Sequence, residues 1–345
     1  MSKNATKFQV PSIQDRFIYD LIYNCLALPT LAVAHELGLY ARLAEAPLTI
    51  EEVATALSLT DRAAAAIVGV SAATGFLERR SDDGRFALTE QARIYMLPES
   101  PFSYGDSLGY ASFVNMGSFA LDAIRKAVKD GSQPSDPKAI ATPTLDPNEV
   151  RRLMRLLHVH TLPAGTAIAE HPYFDEIESL LDVGAGSCPI TAAVVARRPG
   201  IRVTALDVEA VCPQGEEMLR KYGLADRATL LAGDMFAGLP TGFNAHLYSN
   251  MFHDWEVEAC RRLAKNSFDA LAPGGRILLC EVPIDDTRDG PLFAACFTVA
   301  MLIRERGRQY SIREFRDMLT GAGFINFASQ QIFGYYHLIS AQKPQ

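Results

Sequence analysis

The sequence is poor in the features that mark a secreted, metal-built or nucleic-acid-binding protein. Its 345 residues hold six cysteines (Cys25, Cys188, Cys212, Cys260, Cys280 and Cys296) and no CxxC pair. That excludes a zinc knuckle, a thioredoxin-like motif and a small disulfide scaffold. The opening MSKNATKFQVPSIQDRF lacks a basic-then-apolar leader, so reduced thiols in a cytoplasm are the expectation. No apolar run is expected to reach the ~18–20 residues of a membrane span, and no membrane partner is expected. Basic residues are in deficit, 33 Lys+Arg against 40 Asp+Glu for a net charge of −7, which argues against a general nucleic-acid binder. Apolar material is not lacking. Hydrophobic residues make up 48% and charged ones 21%, enough for a full core, and at roughly 150 residues per domain the length suggests about two domains.

Residues 1–100 read as helical with one β-like insertion. Residues 27–44, ALPTLAVAHELGLYARLA, form one amphipathic helix by periodicity, with Leu31, Ala34, Leu37 and Leu39 near one face. Thr49 heads IEEVATALSL with Glu52 three positions on, a capping box. Thr60 or Asp61 starts DRAAAAIVGVSAATG, which stops at Gly75. Two short strands around Asp83-Gly84 follow. Helix, helix, hairpin is the order of a winged helix. Its would-be recognition helix carries only Arg62 as a base, where DNA readers need Arg, Lys, Asn or Gln. Residues 101–170 read as helical, broken by the Pro/Asp-rich loop GSQPSDPKAIATPTLDPNE.

From residue 178 strands alternate with helices. SLLDVGAG, RVTALDV, ATLLAGDM, AHLYSNMF and RILLCEVPI read as strands; TAAVVARR, CPQGEEMLRKYG and EVEACRRLAKNSFDAL are the helices between them. SIREFRDMLTGAG adds a helix, then FINFASQQI and YYHLISAQ an antiparallel pair. The expected fold is therefore α/β: a Rossmann-like, seven-stranded, mostly parallel sheet with helices on both faces, and ligands beyond the carboxyl ends of its strands.

The first of these strands ends in Asp182-Val183-Gly184-Ala185-Gly186-Ser187-Cys188-Pro189. Gly184 and Gly186 permit a tight turn and close approach of a ligand to backbone. A dinucleotide fingerprint needs a third glycine where Pro189 stands, and no GK[ST] follows for a P-loop. Proline suits the first turn of a helix instead. Asp207 ends the next strand, about 20 residues after Gly184, where a carboxylate can accept both ribose hydroxyls. Gly233-Asp234-Met235 then offers an acceptor for an amino group and an apolar side chain for a ring.

The ordered set DVGAGS, ALDV, GDMF, NMFHDW and LAPGGRILLCE resembles the class I S-adenosylmethionine (SAM)-dependent methyltransferases. Within them it is similar to the plant-type small-molecule O-methyltransferases. ELGLYARL, LTIEEVATAL, GFLER and FALTEQARIYML extend the likeness over nearly the whole chain. The resemblance implies an N-terminal winged-helix dimerisation domain at 1–100, a helical linker contributing to the substrate pocket at 101–170, and a SAM-binding methyltransferase domain at 171–345. It implies a homodimer formed through the N-terminal domain and a small aromatic, polyketide-like substrate of secondary metabolism. Around SAM it places Asp182, Gly184, Gly186, Asp207 and Val208 from the first two strands, Gly233, Asp234 and Met235 from the third, and Ser249 and Asn250 from the fourth. Cys188 stands where the family has a third glycine, and its larger side chain is expected to crowd the methionine end of SAM.

An imidazole at the carboxyl edge of the fourth strand, His253, has the ordinary pKa of about 6.5 that suits proton removal from a hydroxyl at neutral pH. By motif match His253 is the general base, and Glu281 at the end of LLCE is the first of two acids that orient its ring. Gln309, in Gly307-Arg308-Gln309-Tyr310-Ser311, stands where the second acid would, and its amide is expected to accept the ring N–H. C- or N-methylation, or a non-methylating use of SAM, is the alternative that Cys188 and Gln309 leave open. Met301 matches a substrate-contact methionine of the family. His160 and Asp254 are further substrate candidates, with a helix N-cap as the competing role of Asp254. His158 and His160, two apart on one helix, point to different faces. Met154, Phe113 and Phe297 read as core, and Arg304, Arg306 and Arg308 as a solvated charged face. No metal is expected.

Overall fold

The structure is a computed structural model that describes residues 13–113, 121–130 and 147–345. It divides into two compact units, one ending at Ser112 and the other beginning at Phe113.

The first unit runs α1 (Arg16–Tyr23), α2 (Ala27–Glu36), α3 (Leu39–Glu45), α4 (Ile50–Leu57), α5 (Asp61–Ala73), β1 (Leu77–Arg79), β2 (Phe86–Leu88), α6 (Glu90–Tyr95) and α7 (Gly105–Phe113). The single helix expected over 27–44 is two, because Gly38 takes φ +82° between them. Only a residue without Cβ adopts that angle without strain, so the chain turns there. The capping box is present: Glu52 N–H donates to Thr49 Oγ1 at 3.3 Å, and Thr49 N–H donates to Glu52 Oε2 at 2.9 Å. Thr60 is the cap of α5, accepting from Ala63 N–H. β1 and β2 pair antiparallel around a turn wider than the two residues Asp83-Gly84 suggest. Arg85 on that turn donates to Glu52 Oε1 at 2.6 Å, fastening the hairpin to α4. Leu39, Tyr40, Leu43, Val53, Ala64, Val68, Leu77 and Met96 fill the core.

One expectation about this unit is corrected. Arg16–Glu36, a 21-residue helical stretch of mean hydropathy 1.5, is long and apolar enough by length and composition to cross a membrane. Asp20, Asn24 and Pro29 interrupt the run, so no unbroken apolar stretch of that length stands in the sequence. α2 turns Leu31, Ala32 and Ala34 into the unit's core, whereas α1 buries nothing and exposes Phe17, Leu21 and Ile22 by more than half.

The second unit holds α8 (Leu121–Asp130), α9 (Pro147–Ala169), β3 (Ser179–Val183), α10 (Pro189–Arg197), β4 (Arg202–Asp207), α11 (Cys212–Lys221), β5 (Ala228–Ala232), β6 (Ala245–Ser249), α12 (Val257–Ala270), β7 (Arg276–Glu281), α13 (Leu292–Arg304), α14 (Ile312–Gly321), β8 (Ile325–Phe333) and β9 (Tyr336–Gln342). The expected linker 101–170 is not a unit of its own. α7 contributes Leu108 to the first core, and α9 packs along α10 in the second unit. Most of the expected Pro/Asp-rich loop, 131–146, lies outside the described residues, as does the side chain of Phe113.

The sheet order is β5-β4-β3-β6-β7-β9-β8, parallel as far as β7 and antiparallel at β9 and β8. β3, β6 and β7 are buried nearly end to end because helices cover both faces. Leu180, Val194, Val203, Leu247 and Leu278 form one core, and Leu181, Val183, Leu263, Leu279, Phe315 and Leu319 the other. Strand order reverses between β3 and β6, which opens a crevice beyond their carboxyl ends.

Candidate active site

The turn after β3 is built for close approach. Gly184 and Gly186 have φ of +69° and +57°, and Cys188 follows at +59°. A Cβ on Gly184 would lie 2.5 Å from Met251 Sδ. Pro189 occupies the first turn of α10, where its missing N–H removes no hydrogen bond. The Gly186 N–H donates to Asp207 Oδ2 and the Val208 N–H to Asp207 Oδ1, both at 2.7 Å. Burial pushes the Asp207 carboxyl up while these two donors pull it down. A carboxylate offers about four acceptor sites, so two remain for a ribose diol.

Asp182 lies beneath the turn rather than in it. It is buried, takes the Thr191 hydroxyl at 2.6 Å, and burial pushes it up to about 6. It fastens α10 to β3, a supporting place rather than a contact surface. Asp234 is exposed and accepts the Phe236 N–H at 2.8 Å. Gly233 N–H donates to Asp207 O, and Met235 packs on the core beside it. Ser249 Oγ and Asn250 Oδ1 are buried without a hydrogen-bond partner, and Asn250 Nδ2 donates to Thr161 on α9. Glycine backbone, a half-satisfied carboxylate and unpaired buried oxygens along one crevice fit an adenosyl sulfonium.

Cys188 does not crowd that crevice. Its thiol packs with Ala185, Ala192, Ala205 and Leu219, and burial pushes it up. A Cβ on Gly215 of α11 would lie 2.6 Å from Cys188 Sγ. The larger residue in the turn is accommodated by a missing one in the facing helix. Sequence reasoning missed Gly215, although a glycine inside a helix signals close approach.

A short 3-10 turn over Phe252–Asp254 follows β6 and carries His253, which is 3% exposed. Its Nδ1 lies 3.0 Å from Glu281 Oε2 and its Nε2 lies 3.3 Å from Asp254 Oδ1. The other Glu281 oxygen accepts the N–H groups of Met251 and Phe252 at 2.9 and 2.8 Å. One fully buried carboxylate thus fixes both the turn and the ring it carries. Burial alone would lower the imidazole, but the charges of Glu281 and Asp254 outweigh it and raise His253 to about 10.

Two readings of this site are corrected. Asp254 is not a helix cap: α12 begins at Val257 after Glu256, and the Asp254 carboxylate faces the ring. Gln309 does not accept the ring N–H. It is fully buried with neither amide atom hydrogen-bonded, and carboxylates face both ring nitrogens instead.

Glu305, which no motif singled out, joins the cluster. The Arg306 and Gly307 N–H groups donate to Asp254 O, and burial together with the Asp254 charge raises Glu305 to about 8. Met301 is buried one helical turn earlier and accepts the Glu305 N–H at 2.7 Å.

The α9 histidines part company as expected. His158 is buried between Ser187 (Oγ, 3.0 Å) and Tyr222 (OH, 2.9 Å), and burial lowers it to about 4. His160 sits among Phe293 and Tyr336, lowered by burial and then by the charge of His253. Phe297 brings its ring within 5.0 Å of the His253 ring. Arg308 pairs with Glu314 at 2.7 Å and lies over Tyr310. Among the described residues no three His, Cys, Asp or Glu side chains are grouped to hold a metal.

Comparison with known proteins agrees with this picture. A family model described as an O-methyltransferase domain matches residues 138–325. The chain is 28% identical over 310 residues to 3-hydroxy-5-methyl-1-naphthoate 3-O-methyltransferase of Streptomyces sahachiroi, covering 88% of each. It is 25% identical over 318 residues to L-tyrosine C(3)-methyltransferase of Streptomyces lavendulae, covering 88% of this chain and 85% of that one. The fold matches human N-acetylserotonin methyltransferase in complex with SAM at a TM-score of 0.78 and 21% identity, covering 98% of this chain and all of the other.

Proposed function

Because the chain belongs to the O-methyltransferase family and is a SAM-dependent enzyme, we propose that it methylates a hydroxyl of a small aromatic, polyketide-like metabolite with His253 as the proton acceptor. The observation that carries this is the His253 ring fixed by Glu281 at the carboxyl edge of the sheet, one strand from the Gly184–Gly186 turn. The naphthoate-directed relative supports an aromatic hydroxyl as the acceptor.

Bound SAM supplies an electrophilic methyl group and leaves as S-adenosylhomocysteine. The chain's task is to present an oxygen nucleophile and take its proton. Glu281 holds Nδ1, so Nε2 is the atom that receives the proton. The substrate hydroxyl replaces Asp254 at Nε2, and Asp254 then stabilises the imidazolium from the side. With its pKa raised to about 10, His253 is mostly protonated at pH 7 in the free protein. The productive state therefore carries one proton fewer, either as neutral imidazole with hydroxyl or as imidazolium with the oxyanion. Both gain population as pH rises from 7 toward 10. Gly184, Gly186, Asp207, Val208 and Asp234 serve the donor, and His160 and Met301 line the acceptor side.

The assembly we infer is a homodimer through the first unit, in a cytoplasmic setting. Phe17, Leu21, Ile22 and Leu26 on the α1–α2 stretch are each more than half exposed, an apolar surface of the kind that self-association covers. Sedimentation should give about twice the chain mass, and a monomer at micromolar concentration would exclude this arrangement.

The functional test is transfer from methyl-labelled SAM to a panel of hydroxyarenes, with the product read by carbon NMR. An O-methyl signal with stoichiometric S-adenosylhomocysteine is expected. A C-methyl product, or none with SAM consumed, would replace the hydroxyl reading.

A further inference from the structure

Gln309 is held as a binding group is held, yet it binds nothing in the protein. Its backbone is clamped at both ends of the residue: N–H to Thr298 Oγ1, and C=O from the guanidinium groups of Arg288 and Arg308, each at 3.4 Å. Its side chain is fully buried, with Oε1 and Nε2 both unpaired. A buried amide without partners costs about 1–3 kcal/mol per group, so a persisting one needs a use.

Its surroundings give the direction. Arg308 and Tyr310 share one face, the guanidinium 4.6 Å from the ring centroid. Thr298, the partner of the Gln309 N–H, is next in sequence to Phe297, whose ring is 5.0 Å from that of His253. Two residues before Gln309, Gly307 packs so tightly that a Cβ there would lie 2.1 Å from His253 O. Gln309 is therefore tied to the segment that packs on the His253 turn.

Two carboxylates, Glu281 and Asp254, flank the imidazole there. An oxygen-rich ligand meets repulsion there unless a neutral donor faces it. The Gln309 amide is such a donor, and a glutamate in its place would not be. We propose that Gln309 Nε2 donates to an oxygen acceptor (carbonyl or carboxylate) carried on the aromatic ring near the reacting hydroxyl, so that the preferred substrates are acyl- or carboxyl-bearing hydroxyarenes. This rests on the hydroxyarene reading above and narrows it.

The test uses the full chain with two probes, 2-naphthol and 3-hydroxy-2-naphthoate, and compares kcat/KM for wild type, Gln309→Leu and Gln309→Glu. SAM affinity by calorimetry reports whether each variant is folded. The ratio favouring the carboxylate probe should fall roughly 10- to 100-fold in Gln309→Leu and further in Gln309→Glu, over and above any change common to both probes. Equal loss on both probes would overturn the inference and make Gln309 a support for His253. An unchanged ratio would also overturn it, leaving the amide to a bridging water. Should one variant lose SAM binding, the other decides by the same ratio. Wild type transferring to neither probe would count against the inference and the hydroxyarene reading together.

Discussion

The charge on His253 is set by two neighbours, and removing one should move it by a predictable amount. Asp254→Asn keeps the size of the side chain and deletes its charge 3.3 Å from Nε2. At an effective dielectric of about 20, two unit charges at that distance interact by about 5 kcal/mol, a ceiling of between three and four pKa units. The Asp254 side chain is 24% exposed, so water screens part of this, and a fall of about one to two units is expected. The sign is downward, because an anion beside an imidazolium favours the protonated ring. His253 starts at about 10 and should titrate in the variant near 8–9. At pH 7 the neutral fraction would then grow roughly 10- to 100-fold. Carbon NMR of ring-labelled histidine measures the titration, and the pH profile of kcat/KM should break at correspondingly lower pH. An unmoved titration would show that Asp254 does not hold the ring's charge, and the proposed exchange of Asp254 for substrate would fall with it.

Glu281→Gln preserves an acceptor for the Met251 and Phe252 N–H groups but turns an amide N–H toward Nδ1, forcing the proton onto Nε2. Catalysis should drop about 10²–10⁴-fold, with a lowered melting temperature because a buried partner of His253 loses its charge; full activity would remove Glu281 from the mechanism. Gly215→Ala sets a Cβ against Cys188 Sγ and should cost about 1–3 kcal/mol as overpacking. Cys188→Gly should restore stability in the double variant, and strict additivity in denaturant titrations would refute the steric pairing. His158 has a folded pKa of about 4 against about 6.5 unfolded. Its contribution is complete above pH 6.5 and is lost as pH falls toward 4, on the order of 3 kcal/mol. Asp182, raised to about 6, works in the opposite sense over nearly the whole of that range, so the two contributions largely offset. Between pH 6.5 and 4 wild type should therefore lose more stability than His158→Gln; equal pH slopes of melting temperature in the two proteins would show that His158 is not held neutral.

How far the sequence could be read depends on the range of the contacts involved. Strand ends were legible because apolar runs and turn residues are local signals. Asp207, His253 and Glu281 could be placed at one sheet edge for that reason. Gly38 shows the limit within a helix: amphipathic periodicity ran on through a residue whose backbone stopped it. The direction of Cys188 depended on Gly215, distant in sequence and in another helix. The partner of Asp254 was equally hidden, because the N-cap signal after His253 and an ion pair with that histidine use the same residue type. Glu305 and the unpaired Gln309 amide became visible only when the segment after α13 packed against the His253 turn.

The central claim is that His253 accepts the substrate proton without holding the donor. His253→Ala tests it most directly, with SAM affinity by calorimetry and labelled-methyl transfer measured on the same sample. Affinity within about twofold of wild type and transfer reduced roughly 10²–10⁴-fold is the predicted result. Undiminished turnover would contradict the account.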